Sequence, residues 1–207
     1  VVRRVGEHPV PTEAELSLFI TAEGTKMGAE STSFSTLAAG PERSWAIHAA
    51  PPSSNAPFLT KGGGLSLIDF GLKVDGYATD VTVSFSDRPD PRQQEMVRLV
   101  REAFLLAANA AEAGVSPRSL MQLAAAFFAR HGFTLPHGLG HGIGLEIHEP
   151  PFLRDHPQAE APLMPGTVFT IEPGLYSSEA GGVRLENDVL CTSSGVRVLT
   201  KSRIVDL

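Results

Sequence analysis

The sequence has a single cysteine, Cys191, among 207 residues. An intramolecular disulfide framework is therefore excluded, and the composition fits a reducing, cytoplasmic setting. No apolar run approaches the roughly 20 residues that a membrane-spanning helix needs. No signal-peptide pattern opens the chain. It begins on Val1 rather than Met, which fits a region upstream of Val1 as well as a native start. Long basic runs are also missing, and the formal net charge is −6. Neither nucleic acid nor an anionic membrane is expected as the main partner. No internal repeat is visible. What remains is ordinary for a globular protein, with 42% hydrophobic and 19% charged residues;. A chain of this length is expected to make one well-cored domain over 1–207;.

One stretch departs from that background. From Pro136 to Pro150, His137, His141 and His148 are interleaved with four glycines. Histidine is the commonest metal ligand and moves protons near neutral pH. Glycine lets a backbone turn sharply or approach a ligand. Taken alone, the stretch reads equally well as a glycine-rich loop with surface histidines. Carboxylates elsewhere, each in a strand-like setting, favour the chemical reading.

Residues 1–10 read as extended. Thr12 and Glu15 have capping-box spacing, and Leu16, Phe19, Ile20 and Met27 continue at helical period;. Ser33–Leu37 reads as a short strand, and 40–57 as a loop containing His48. Leu65–Phe85 alternates like a hairpin, with Asp75-Gly76 marking the turn;. A four-residue loop, Lys73–Gly76, places Asp69 directly opposite Asp80. A tighter turn at Asp75-Gly76 shifts the pairing by two and still leaves both on one face. Two like charges there are destabilising unless a cation lies between them or water solvates both. Asp90-Pro91 and Ser116-Pro117 start two helices, which run toward Gly114 and Gly132 with apolar stripes for the core;. Leu145–Ile147 looks strand-like, and Thr167–Glu172 reads as a strand ending in a Pro173-Gly174 turn. Gly182–Thr192 reads as one strand with Arg184, Glu186 and Asp188 on one face, and a last strand falls near Arg197–Thr200. Helices and strands do not alternate regularly, so the expected class is α+β.

The chemical candidates are Asp69, Asp80, His141, Glu172 and Glu186. Four acids cannot converge unless cations neutralise them. An oxygen-rich set with one imidazole suits two divalent ions of the Mn²⁺, Co²⁺ or Zn²⁺ kind. Two such ions can share a water and present it as hydroxide.

These residues resemble a known family. His137–Glu149, Ile68–Gly71 through Asp75-Gly76-Tyr77 to Asp80, Phe169–Gly174 and Gly182–Glu186 look like the signature of the prolidase and Xaa-Pro aminopeptidase group of metallopeptidases. That group shares the pita-bread fold, a curved, mostly antiparallel sheet flanked by helices, with methionine aminopeptidase. The resemblance covers roughly residues 12 to 204. It implies that Asp69 binds one metal, that His141 and Glu172 bind the other, and that Asp80 and Glu186 bridge both. Glu172 would also exchange protons with the attacking water, His148 would stabilise the tetrahedral intermediate, and His48 would sit on the leaving-group side. His137 and Arg184 match positions that line the substrate site in the proline-directed branch. The implied reaction is hydrolysis, by a metal-bridging hydroxide, of the bond between an N-terminal residue and a proline in second position. A homodimer is compatible with the resemblance. His8, His131 and His156 match nothing and read as surface residues. The resemblance leads one to expect a further helix and an N-terminal domain ahead of Thr12, which the sequence from Val1 onward is not expected to contain. The loop Pro41–Trp45 lacks a common Asn, Gly64 stands where an acid is usual, and Asn187 replaces a frequent Asp. A creatinase-like hydrolase of a non-peptide substrate and a non-catalytic binding protein are the alternatives on the same fold.

Overall fold

Helix starts follow the local chemistry of the sequence. In the computed structural model, which describes residues 1–6 and 10–207, a short α1 (Val2–Val5) precedes α2 (Glu13–Lys26). The extended reading of residues 1–10 is thus corrected at Val2–Val5, while its part over residues 7–9 and the surface reading of His8 lie outside the described residues. Thr12 caps α2 in a full capping box with Glu15. Asp90 caps α3 (Pro91–Ala110) in the same way with Gln93, and Ser116 caps α4 (Pro117–Arg130). Each such cap satisfies an otherwise orphaned amide and is worth about 1 kcal/mol.

The strands in chain order are β1 (Ser31–Thr32), β2 (Leu37–Ala39), β3 (Gly64–Phe70), β4 (Leu72–Val74), β5 (Tyr77–Ala78) and β6 (Val81–Asp87). After α4 come β7 (Gly140–Gly142), β8 (Glu149–Leu153), β9 (Val168–Ile171), β10 (Gly174–Ser177), β11 (Gly181–Arg184), β12 (Asn187–Thr192), β13 (Gly195–Val198) and β14 (Ile204–Asp206). One sheet has the order β14-β6-β3-β2 and another β13-β12-β9-β7-β8. β1-β4-β5 and β10-β11 form smaller sheets. Among the described residues, β14 on β6 is the one parallel pair.

The hairpin is built around the tighter of the two turns. Val74 pairs with Tyr77, and Asp75 and Gly76 adopt φ values of 51° and 78°. The register carries through to Asp69 opposite Thr82, so Asp69 and Asp80 are diagonal neighbours rather than opposite ones. Between β3 and β4 the backbone at Gly71 runs against its partner: a Cβ there would lie 1.9 Å from the Thr79 carbonyl oxygen. Crowding at this point splits the expected continuous hairpin into β3–β6 and β4–β5.

Other strand readings are also corrected. Gly182–Thr192 breaks at Leu185-Glu186, because β11 pairs with β10 whereas β12 pairs with β9 and β13. Pro173-Gly174 opens a strand, not only a turn. Leu145–Ile147 forms bends rather than a strand, and the Ser33–Leu37 strand is replaced by β1 and β2 on either side. β11 rests on β6 through Ser84, whose hydroxyl donates to the Arg184 carbonyl at 2.7 Å and accepts from its amide at 3.0 Å.

Among the described residues three apolar clusters hold the layers, the smallest formed by Leu37, Ala39, Ala49 and Leu67 beside the site. Leu99, Val100, Phe104, Leu120, Phe128, Phe169 and Val189 belong to the largest one, beneath α3 and α4. Leu16, Ile20, Phe58, Ile68 and Phe85 fill the second, beneath α2. The site lies where β3, β6, β7, β9, β11 and β12 meet.

Candidate metal centre

All nine residues singled out in the sequence line one cavity of about 530 Å³: His48, Asp69, Asp80, His137, His141, His148, Glu172, Arg184 and Glu186. The tightest group is Asp80, His141 and Glu186. All three are buried, and their ligand atoms lie within 4.8 Å of one another. Asp69 is the penultimate residue of β3, Asp80 precedes β6 and His141 sits in β7. Glu172 and Glu186 lie in the short links between β9 and β10 and between β11 and β12.

His141 is oriented by its own strand. Its Nδ1 lies 3.1 Å from the Gly142 carbonyl, so Nδ1 carries the proton and Nε2 presents a lone pair;. That lone pair faces carboxylate oxygens of Asp80 at 3.5 Å and Glu172 at 3.6 Å. Burial lowers the His141 pKa to about 4, so the ring is neutral near pH 7. Acceptors facing acceptors repel unless a proton or a cation lies between them. Burial first, and then Asp69, Glu172 and Asp188, push Asp80 up to about 10. Burial also pushes up Glu186, with Asp80 adding to it, and Glu172. Asp69 Oδ1 and Asp80 Oδ1 are buried with no hydrogen-bond partner. The donor set is therefore short of positive charge, and divalent cations fit it.

Arg184 supplies the charge behind this cluster. It is 2% exposed. Its Nη2 donates to Asp69 Oδ2 at 2.5 Å, its Nε to Thr82 Oγ1 at 2.9 Å and its Nη1 to the Tyr176 hydroxyl at 2.7 Å. Burial works against the charge, but Tyr176, Asp69, Glu186 and Glu172 outweigh it and raise the pKa. The Thr82 hydroxyl in turn donates a hydrogen bond to Glu186 Oε2 at 2.6 Å. Tyr176 also lies 3.1 Å from His137 Nε2, and His137 is held down to about 4 by burial and by Arg184. His148 packs against His141 with ring centroids 4.4 Å apart. His48 and His148 are exposed toward the cavity, whereas His131 and His156 are exposed elsewhere.

Tyr176, Thr82, Thr170 and Asp188 join the site without having been singled out as candidates. Thr170 accepts the His141 amide at 3.0 Å, and Asp188 Oδ2 accepts the Asp80 amide at 3.3 Å. A signal for Tyr176 lies across the hairpin at Gly182. A Cβ at Gly182 would come within 2.7 Å of the Tyr176 ring and 2.1 Å of the Ser44 carbonyl oxygen. Glycine at that position keeps the ring flat against β11.

Residues 1–193 match the sequence model of metallopeptidase family M24. The chain is 36% identical over 178 residues to the Xaa-Pro dipeptidase of Pyrococcus furiosus, a match covering 84% of this chain and 49% of that protein. The prolidase structure from P. furiosus superposes with a TM-score of 0.89 at 33% identity, covering 98% of this chain and 60% of that one. The X-Pro aminopeptidase structure from Thermotoga maritima gives a TM-score of 0.87 at 33% identity, covering 95% and 56%. The chain spans about half the length of the curated relatives it matches. The architecture is the pita-bread fold, α+β as expected.

Proposed function

This chain belongs to metallopeptidase family M24, and on that premise we propose that it hydrolyses the bond between an N-terminal residue and a following proline. Its substrate is then a peptide with proline in second position. The observation that carries the reading is the buried Asp80–His141–Glu186 group, with one oxygen each of Asp69, Asp80 and Asp188 left unpartnered. Asp69, Asp80, His141, Glu172 and Glu186 would hold two divalent ions, with Asp80 and Glu186 shared. When bound, such ions lower the pKa of water and polarise a carbonyl oxygen.

The protein's own groups do the rest. Glu172 takes the proton of the attacking water and delivers it to the leaving proline nitrogen. His148 donates to the oxygen that becomes negative in the transition state, and His48 faces the leaving group. His137 forms the wall that receives the proline. Arg184 is spent on Asp69, Thr82 and Tyr176, so its effect on the substrate runs through the shape of that wall. The whole chain, 1–207, is read as one catalytic domain in a cytoplasmic setting, in keeping with the family match and the lone cysteine.

A dipeptide panel with elemental analysis tests the proposal. Two ions per chain and faster cleavage of an Xaa-Pro peptide than of its Xaa-Ala counterpart are expected, and Arg184→Ala should narrow that difference. Equal rates on both peptides would remove the proline assignment. A metal-loaded chain inactive on every peptide would favour a non-peptide substrate, and a chain that takes up no metal would favour a binding protein.

A further inference from the structure

A second buried carboxylate, outside the site, holds one of its walls. Glu13 is the first residue of α2 and its side chain is fully buried. Its Oε1 accepts the Gly40 amide at 2.8 Å. Its Oε2 accepts the Ser54 amide at 2.9 Å, the Ser54 hydroxyl at 2.6 Å and the Arg43 guanidinium. Arg43 in turn donates to the Pro51 carbonyl. One carboxylate thus ties together both ends of the 40–54 segment. The middle of that segment supplies Ile47, His48, Ala49 and Pro52 to the wall of the site cavity. The Ile47 carbonyl also receives Arg184 Nη1 at 3.4 Å.

We propose that Glu13 is a positioning residue for the site, its carboxylate closing the 40–54 loop so that His48 is held against the cavity. Side-chain and carbonyl ties, rather than secondary structure, hold this loop: besides the Glu13 contacts at its ends, Ser44 Oγ donates to the Leu65 carbonyl at 2.7 Å and accepts the Gly182 amide at 2.9 Å, and the Pro52 carbonyl accepts the Ala38 amide at 2.8 Å. The loop contains no helix or strand from Gly40 to Pro57, apart from an isolated bridge between Thr12 and Pro57. A buried charge satisfied by three amide or hydroxyl donors and a guanidinium is costly to disturb, because breaking one partner leaves the others unpaired. Its place in the first turn of α2 adds the favourable end of the helix dipole. The consequence for His48 rests on the function proposed above; the ordering of the loop does not.

Glu13→Gln tests it, since the side chain keeps its size and loses its charge. Hydrogen exchange of amides 44–53 should quicken, while that of Pro91–Ala110 stays as in the wild type. On an Xaa-Pro peptide kcat/KM should fall on the order of 10- to 100-fold, with metal content unchanged. In a His48→Ala background the further loss should disappear, because both changes act through the same side chain. Unchanged exchange over 44–53, metal loss, or a loss that adds in full to that of His48→Ala would overturn the proposal. Should Glu13→Gln not fold, Ser54→Ala removes one donor from the same carboxylate and is read by the same measures. A wild-type chain that cleaves no Xaa-Pro peptide would end the functional reading, and the exchange experiment would still decide the role of Glu13.

Discussion

Two groups of buried carboxylates lie close together in this protein and differ in one respect. Glu13 has a matched donor for each oxygen and a guanidinium beside it. The Asp69, Asp80, Glu186 and Asp188 group has one guanidinium, Arg184, and leaves Asp69 Oδ1, Asp80 Oδ1 and Asp188 Oδ1 unpaired. Burial takes hydration from the carboxylates of both groups. The first recovers it within the protein, and the second is left to recover it from cations. A saturated buried acid marks a structural tie, and an unsaturated one marks a place for a ligand.

The largest effect is expected from removing a shared acid on the unsaturated side. Asp80→Asn should lower the occupancy of both ions and depress activity more than any other change considered. Full occupancy by elemental analysis would erase the contrast. His148→Ala comes next. It removes a donor aimed at charge that exists only in the transition state, so kcat should fall about 10²–10³, roughly 3–4 kcal/mol, with both ions retained. Metal depletion in His148→Ala would move His148 to the metal, and a wild-type kcat would remove its role in the transition state.

The pH dependence of the metal-free protein sharpens the same contrast. Asp80 is raised to about 10, and Glu172 and Asp188 to about 7, so the folded chain holds protons that the unfolded chain releases. Their contribution to stability is full below about pH 4 and is lost as pH rises through those values. His137 and His141, lowered to about 4, act oppositely, but only below about pH 6.5, where the unfolded imidazole takes its proton;. Above pH 6.5 the raised carboxylates act against the Val1 amino group, whose pKa burial lowers. Stability of chelated protein should fall between pH 6.5 and 8 by on the order of 2 kcal/mol for a group that stays protonated throughout. Added Mn²⁺ should abolish the fall. A Tm that is flat or rising over that range without metal would mean that the acids are paired in a way the structure lacks. The smallest change is Thr12→Ala, which opens the capping box beside Glu13. It should cost about 1 kcal/mol in urea unfolding and leave kcat unaltered; a tenfold loss of kcat would tie the cap to the site as well.

Much of this was legible because the signals were local. The Asp90-Pro91 and Ser116-Pro117 helix starts and the Thr12 cap each depend on neighbours a few residues away. The ligand candidates stood out as four acids in strand-like settings and a histidine in a glycine-rich stretch, and the resemblance supplied their roles. What depended on distant partners was not legible. The Asp75-Gly76 turn allowed two registers, and the crowding at Gly71 that divides the hairpin requires the Thr79 carbonyl to be in place. Leu185-Glu186 breaks a sequence that alternates well, because β11 and β12 are claimed by different sheets. Tyr176, Thr82 and Asp188 act through Arg184, Glu186 and Asp80. Glu13 looks like any acid in the first turn of a helix until Gly40 and Ser54 fold over it.

The two-residue turn at Asp75-Gly76 also determines how this protein tolerates insertions. Tyr77 is 61% exposed and Val74 50%, and an exposed hairpin tip is ordinarily where added residues do least harm. Here the turn acts as a ruler. One added residue would enlarge the turn or shift the β3–β6 register by one, and such a shift would move Thr82 away from Asp69 and turn the Asp80 end to the other face;. Substitutions at the tip are cheap, and changes of length are not. A tag, a cleavage site or a circular-permutation cut belongs elsewhere, for example after Gly166 between β8 and β9, where positive φ is already adopted and an added Cβ meets nothing within 4 Å.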